Sequence, residues 1–297
     1  MTGVGENTGL DARDLRRIVC EALREDGSSN DITTSYLGIG ERKIAASIVA
    51  RARGVVAGIG VARIVFEEAG GGVSYEPRIG DGSKVQDGTV IAEIEGRASV
   101  ILSAERTALN FLQRLSGVAT LTAAFVERVK GTGVIILDTR KTTPLLRGLE
   151  KYAVRAGGGR NHRSGLGDMV LVKDNHLQVL GGAGFRDLLA RRKPPADIEV
   201  EVDSLPALRS LLGAPVQRVM LDNFSPAGVE EAVRLISDYR RGHPDFTPAV
   251  EVSGGVDLGN VRDYAVTGVD FISIGALTHS APSLDLSLEV AGDAARD

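Results

Sequence analysis

The chain has 297 residues, a formal net charge of −4, 43 % hydrophobic and 25 % charged residues, a size that suits two domains or one large barrel in a globular protein. Mild acidity, no basic tail, no Trp and few Tyr or Phe argue against nucleic acid as the main partner, and no apolar run approaches the roughly 18–20 residues of a membrane span. One cysteine, Cys20, read as packing, excludes an internal disulfide and favours a reducing cytoplasm.

The opening MTGVGENTG has neither the basic start nor the apolar centre of a signal peptide. From Leu10 to about Leu115 helix and antiparallel strand alternate. Asp11 is placed to cap a helix through Leu23, with apolar residues at Leu15, Ile18, Val19, Ala22 and Leu23. RKIAASIVARARGVVAGI reads as one or two strands broken at Gly54, followed by a helix over residues 60–69. GDGSKVQDGTVIAEIEGRASVIL alternates short β runs with Gly/Asp turns. Its rhythm is that of biotinyl and lipoyl carrier hairpins, but Lys84 lacks their sequence context. From Ser103 a long helical pattern runs through AERTALNFLQRLSGVATLTAAFVERVK, with a break expected near Gly117.

After Gly131 the texture changes. The apolar runs VIILDTRK, DMVLVKDNH, DIEVEVDS, RVMLDNFS, PAVEVSGG and DFISIGAL alternate with helical patterns such as FRDLLARR and PAGVEEAVRLISDYRR. Uniformly apolar strands alternating with helices predict a parallel sheet covered on its outside. Six such units with short loops suit a barrel better than an open sheet, and no GxGxxG follows the first strand. The expected architecture is therefore α/β. An N-terminal α+β sandwich-like domain spans 1–116, with the tail 276–297 packing back. A TIM-like (β/α) barrel, complete or not, spans 117–275.

In such barrels the site lies at the C-terminal strand ends. Those ends carry Asp138, Thr139, Arg140 and Lys141, then Lys173, Asp174 and Asn175, then Glu201 and Asp203, then Asp222 and Asn223. The last two carry Ser253, Gly254 and Gly255, and Ser273, Ile274, Gly275 and Ala276. Positive charge gathers between residues 137 and 176, at Arg140, Lys141, Arg160, His162, Arg163 and Lys173. Guanidinium forks bind carboxylates and phosphates bidentately, so the cluster suits a ligand bearing several oxyanions. The glycine-bearing ends offer backbone N–H groups to an anion, or simply make tight turns.

Glu201 and Asp222 have two readings: ion pairs with the nearby cations, or binding of ribose hydroxyls and a Mg²⁺ carried by a diphosphate. The barrel mouth favours the second. EVEVD puts Glu199, Glu201 and Asp203 on one side of a strand, which leaves room for a structural member among them. His162 lacks zinc-site spacing and is expected to hydrogen-bond a carboxylate. His176 reads as structural, and His243 and His279 have no assigned role.

In order, DTRKTTP, GGGRNHRSGLGD, KDNH, EVEVD, LDNFSP, EVSGG and GVDFISIGALTHS resemble the quinolinate phosphoribosyltransferases. NDITT and AERTALNFLQRLSGVAT extend the resemblance over nearly the whole chain, with GGAGFRDLLARRKPPAD the least standard stretch. The resemblance implies a cytoplasmic enzyme that joins quinolinate to phosphoribosyl pyrophosphate (PRPP) with Mg²⁺, giving nicotinate mononucleotide, pyrophosphate and CO₂. By similarity, Thr139, Arg140, His162, Arg163 and Lys173 surround the quinolinate carboxylates, and Lys141 lies near the diphosphate or the reacting centre. Glu201 and Asp222 hold the ribose hydroxyls and the Mg²⁺–diphosphate. Ser253, Gly254, Gly255, Ile274, Gly275 and Ala276 hold the 5′-phosphate. A head-to-tail homodimer, alone or within a higher oligomer, is also implied, in which Arg106 of one subunit, beside Glu105, reaches the other's site. Two rivals stand beside this reading. One is a molybdenum-transport-associated relative with the same fold, which the intact RNHR disfavours. The other is a phosphosugar lyase or isomerase using Lys173 as a Schiff base.

Overall fold

The structure is a computed structural model that describes residues 11–180, 184–191 and 193–291. The opening MTGVGENTG, part of the GGAGFRDLLARRKPPAD segment and the last residues of the C-terminal tail lie outside these. Contacts divide the chain into two compact units. One is Met1–Ala123 with Thr142–Gly158 and Leu277–Asp297; the other is Ala124–Lys141 with Gly159–Ala276.

In the first unit, α1 (Ala12–Asp26) starts where the Asp11 side chain accepts from the Arg13 N–H and ends at Gly27 in the left-handed region. Its buried stripe is Leu15, Ile18, Val19 and Leu23, one face of a 3.6-residue period. Next come α2 (Ile32–Leu37), capped by Asp31, β1 (Lys43–Ala50), β2 (Gly54–Val55) and α3 (Ile59–Glu68). They are followed by β3 (Ser74–Pro77), β4 (Lys84–Val85) and β5 (Val90–Arg97). Lys84 sits in a short ladder opposite Val55, not at a hairpin tip. The main sheet has the order β12-β1-β5-β3 and is antiparallel, its edge strand β12 (Leu286–Val290) supplied by the far end of the chain.

The long helix α4 (Ala98–Arg128) runs 31 residues without the break expected at Gly117, and its first turns are the ASVIL read as β. Glycine in a helix interior costs about 1 kcal/mol relative to alanine, so this glycine needs a reason. A Cβ at Gly117 would overlap the carbonyl oxygen of Pro282. The residue permits a close backbone approach and does not interrupt the helix. Gly117→Ala is expected to cost roughly 3 kcal/mol, the upper range of overpacking effects, read as a fall of several degrees in the thermal unfolding midpoint. An unchanged midpoint would contradict this account of the glycine.

The segment containing α5 (Arg147–Ala156) belongs to the first unit. Its fully buried Glu150 accepts from Thr143 N at 2.9 Å and Thr143 Oγ1 at 2.8 Å, and pairs with Arg114 Nη2 at 2.7 Å. A buried carboxylate persists only when its oxygens are so matched.

The second unit is a parallel sheet of six strands: β6 (Ile135–Leu137), β7 (Val170–Val172), β8 (Ile198–Val202), β9 (Arg218–Asp222), β10 (Ala249–Ser253) and β11 (Phe271–Ser273). Its order, β6-β11-β10-β9-β8-β7, pairs the last strand with the first, as a barrel does. Among the described residues one seam stays open, between β6 and β7. There Arg160 forms an isolated bridge to Leu137, donating to Ile136 O at 2.9 Å and accepting from Asp138 N at 3.2 Å. The helices between strands include α6 (Asp174–Leu180), α7 (Gly184–Arg191), α8 (Leu205–Leu211), α9 (Pro226–Gly242) and α10 (Val261–Ala265), with α11 (Ala276–His279) after β11. Ser204 and Ser225 cap α8 and α9, each with Pro in the first turn. Among the described residues no helix is long and apolar enough to cross a membrane.

Candidate active site

The C-terminal ends of all six parallel strands meet around a cavity of about 580 Å³, within the roughly 300–1,000 Å³ usual for small-molecule sites. Thr139, Arg140 and Lys141 enter it just past β6, and Leu171 and Lys173 from β7 and its end. Glu201 comes from β8, Met220, Asp222 and Asn223 from β9 and its end, Ser253, Gly254 and Gly255 from β10 and its end, and Ser273 from β11. His162 and Arg163 line it from the loop ahead of β7. Most of the residues expected at the site thus share one cavity. Of the six residues expected to hold the 5′-phosphate, three do not line it: Ile274 is buried with its N–H donated to Leu137 O at 2.9 Å, and Gly275 and Ala276 follow at the start of α11. Arg106 is exposed on α4 in the first unit, and the Arg160 side chain is exposed as well.

The cation-rich side is organised from Asp138, which is fully buried. Its carboxylate accepts from His162 N at 2.9 Å and Asn161 Nδ2 at 2.5 Å, tying the loop to the end of β6. Burial and then the Arg140 guanidinium push the Arg163 pKa down from its ordinary value. Two guanidiniums held close in a half-buried pocket favour an incoming anion.

The predicted carboxylate partner of His162 is found, but it is a buried protein group. Nε2 lies 3.0 Å from Glu199 Oε2 and 3.6 Å from Glu251 Oε1, while Nδ1 accepts from Arg163 N at 2.8 Å. Both ring nitrogens therefore engage protein atoms, and the side chain is 6 % exposed.

Among the acidic residues, Glu201 is ion-paired with Lys173 Nζ, and Asp222 Oδ2 accepts from Asn223 Nδ2 at 2.8 Å. Of the two readings of Glu201, this structure contains the ion pair. Gly254 and Gly255 have φ of 90° and 64°, and Asn223 also lies in the left-handed region at 58°. A Cβ on Gly254 would overlap the Asn223 side-chain oxygen, while Asn223 N donates to Ser253 O at 2.9 Å. The glycine thus serves a tight, left-handed turn that aims backbone at the cavity.

Two family models match the chain. A family model described as "Quinolinate phosphoribosyl transferase, N-terminal domain" matches residues 31–116, and one described as the C-terminal domain of the same family matches 118–289. The chain belongs to the quinolinate phosphoribosyltransferase family. It is 43 % identical over 284 residues to the nicotinate-nucleotide pyrophosphorylase [carboxylating] of Mycobacterium leprae, covering 94 % of this chain and 97 % of the relative. It is 41 % identical to the probable enzyme of that name from Methanocaldococcus jannaschii, covering 92 % and 96 %. The solved NadC structure from Streptococcus pyogenes superposes with a TM-score of 0.86 at 37 % identity, over 95 % of this chain and 99 % of that one.

Beneath the cavity lies a layer that the sequence pattern alone does not assemble. Glu251 is fully buried, accepts from Ser273 Oγ, and pairs with Arg218 Nη1 at 2.7 Å. The Arg218 guanidinium stacks 4.3 Å from the Phe271 ring centroid. The signal was present: Glu199 and Glu251 each stand two residues before a strand-end residue that lines the cavity, on the same face by the period of two. Of the other histidines, His176 Nδ1 accepts from Lys173 N at 2.9 Å, a structural role as expected. His243 stacks on Tyr239 with centroids 4.0 Å apart, and His279 Nδ1 lies 2.6 Å from Ser280 Oγ.

Proposed function

We propose that this chain transfers the phosphoribosyl group of PRPP to quinolinate, releasing pyrophosphate and CO₂ and forming nicotinate mononucleotide for NAD synthesis. The observation that carries the reading is charge division within one cavity. Arg140, Arg163 and Lys141 supply cations, Glu201, Asp222 and the Gly254–Gly255 turn supply acceptors and backbone, and the Lys173–Glu201 ion pair stands where the two groups meet. A dicarboxylate and a sugar phosphate need those two kinds of surface.

The chemistry follows from positioning and neutralisation, with no covalent nucleophile. Arg140, Arg163 and Lys173 orient the pyridine dicarboxylate, with the neighbouring Thr139 contributing a hydroxyl. As the diphosphate leaves C1 of the ribose, the sugar becomes oxocarbenium-like and the pyridine nitrogen attacks it. The alkylated ring nitrogen is cationic, so the adjacent carboxylate leaves as CO₂ and its electron pair is stabilised on the ring before a proton replaces it. Lys141 sits between the two substrates, close to the departing diphosphate. The 5′-phosphate meets the backbone of Ser253, Gly254 and Gly255, with Ile274, Gly275 and Ala276 behind Ser273 shaping that end.

Glu201 and Asp222 are hard oxygen donors at adjacent strand ends, which suits Mg²⁺, a cation held by one or two carboxylates plus substrate phosphates. Bound with PRPP, Mg²⁺ would offset the charge of the leaving diphosphate. Glu201 would then exchange its Lys173 partner for the metal and ribose, leaving Lys173 to the dicarboxylate. A homodimer in which the exposed Arg106 completes a neighbour's dicarboxylate side, and a cytoplasmic setting in keeping with the single cysteine, belong to the same proposal.

The test is product analysis with purified protein, PRPP, quinolinate and Mg²⁺. Nicotinate mononucleotide, pyrophosphate and CO₂ are expected in equal amounts. Borohydride trapping that labelled Lys173, with no nucleotide formed, would instead support the lyase reading.

A further inference from the structure

Asn223 stands between two strand ends of the cavity in a backbone conformation that most residues avoid. Its φ of 58° lies in the left-handed region, which among the described non-glycine residues only Leu145 shares. Asparagine tolerates that region better than most side chains, but such strain persists only where the surroundings over-determine it. Here they do. Asn223 N donates to Ser253 O at 2.9 Å, joining the end of β9 to that of β10. The next carbonyl, Phe224 O, accepts from Tyr264 Oη on α10 at 2.9 Å, and Ser225 then caps α9 by accepting from Gly228 N at 3.2 Å. These contacts hold the turn, and none of them uses the Asn223 side chain.

That side chain belongs to the site instead. Asn223 lines the cavity together with Asp222 and Gly254. A carboxylate can only accept, so the amide atom 2.8 Å from Asp222 Oδ2 is the donor Nδ2. The amide oxygen then faces Gly254, where a Cβ would overlap it. The planar amide is thus set across two strand ends, one edge on the carboxylate and the other against a residue that has to be glycine. A donor held on one oxygen limits rotation of the carboxylate, as the outer partners of ligating carboxylates do. Asp222 Oδ1, to which no described group donates, is left for a ligand.

We propose that Asn223 is a positioning residue for the sugar-phosphate half of the site: by fixing the Asp222 carboxylate through Oδ2, it presents Oδ1 to the diphosphate with its Mg²⁺ and to the ribose. The inference takes the PRPP reading of Asp222 as its basis. Asn223 acts through Asp222 and touches no reacting atom. Its loss therefore falls on turnover and on diphosphate binding, and leaves the dicarboxylate half as it was. The left-handed turn supplies two informative replacements. Glycine keeps the backbone and removes the amide, while aspartate keeps the shape and removes the donor.

Steady-state kinetics and calorimetric titration with pyrophosphate in the presence of Mg²⁺ test it. In Asn223→Gly the thermal unfolding midpoint and KM for quinolinate should stay at their wild-type values. Loss of one hydrogen bond to a charged group should lower kcat roughly tenfold and weaken Mg²⁺–pyrophosphate binding by a similar factor. Asn223→Asp also tolerates the backbone, but sets a second carboxylate against Asp222, and kcat should fall at least as far. In an Asp222→Asn background the glycine substitution should cost less than about twofold, because the charge it positions has gone. Wild-type kcat and pyrophosphate affinity in Asn223→Gly would overturn the proposal, as would an Asn223→Asp variant that matches wild type. A loss of roughly tenfold that persists in the Asp222→Asn background would give Asn223 a contact of its own, and would overturn it too. So would a lowered midpoint with a shifted quinolinate KM, which would make the residue part of the turn alone. A wild-type protein that forms no nucleotide would contradict the proposed function instead, and the pyrophosphate titrations would still decide the role of Asn223.

Discussion

Arg140→Ala is expected to lower kcat/KM for quinolinate roughly 10³-fold, about 4 kcal/mol of transition-state stabilisation, while the fold stays intact. The side chain is half-buried at the cavity, just past the end of β6, and belongs to no apolar core. Truncation removes one planar fork and leaves the substrate carboxylate to Arg163 and Lys173. Arg163 shares the same pocket closely enough for the two guanidiniums to affect each other. The double Arg140→Ala, Arg163→Ala variant should therefore lose much less than the product of the single effects. Arg140→Lys should recover only part of the loss, because an ammonium supplies charge without the bidentate geometry. Steady-state kinetics with circular dichroism as a control for folding measure this. Near-normal kcat/KM in the alanine variant would remove Arg140 from the acceptor site.

The second large effect belongs to the acidic side. Asp222→Asn is expected to reduce kcat by roughly 10²–10³-fold, the range seen when one preorganised electrostatic group is removed from a transition state, with KM for quinolinate little changed. The substitution is conservative in shape: an asparagine oxygen can still accept from Asn223 Nδ2, so the turn at the end of β9 should persist. What it removes is a full negative charge at the place proposed for Mg²⁺–diphosphate and ribose. Glu201→Gln should behave differently. It also releases Lys173 from its ion pair, so KM for quinolinate should move together with kcat. Titrating Mg²⁺ in both variants separates the cases, since a weakened metal site raises the Mg²⁺ concentration needed for half-maximal rate. If Asp222→Asn shifted only quinolinate affinity, the proposed division of the cavity would be wrong.

Much of this arrangement could be read from the chain. Apolar runs ending in polar residues located all six barrel strands, and the barrel rule then collected Arg140, Lys173, Glu201, Asp222 and Ser253 before any contact was known. Local signals also sufficed for α1, where Asp11 caps and a 3.6-period stripe packs. Long-range contacts were not legible. Gly117 looked like a helix break because its reason, Pro282, lies far along the chain. The span 117–275 reads as one barrel in sequence, yet the helix Arg147–Ala156 within it belongs to the first unit, where its buried Glu150 joins Arg114. The orientation of His162 depends on a backbone N–H beside it and on two glutamates from different strands. Only strand register brings those glutamates together. Arg106 reads as a surface charge in sequence and is exposed in the structure, so its role rests on the proposed dimer.

The most direct measurement of the central claim, that the cation-rich side is built for two carboxylates, compares quinolinate with nicotinate as phosphoribosyl acceptors under identical conditions. Both would yield the same nucleotide, but only quinolinate must lose CO₂. kcat/KM for quinolinate is expected to exceed that for nicotinate by roughly 10³-fold or more, because a missing carboxylate forfeits its charge-assisted contacts with half-buried guanidiniums, with one CO₂ released per nucleotide formed. Equal or faster turnover of nicotinate would contradict it.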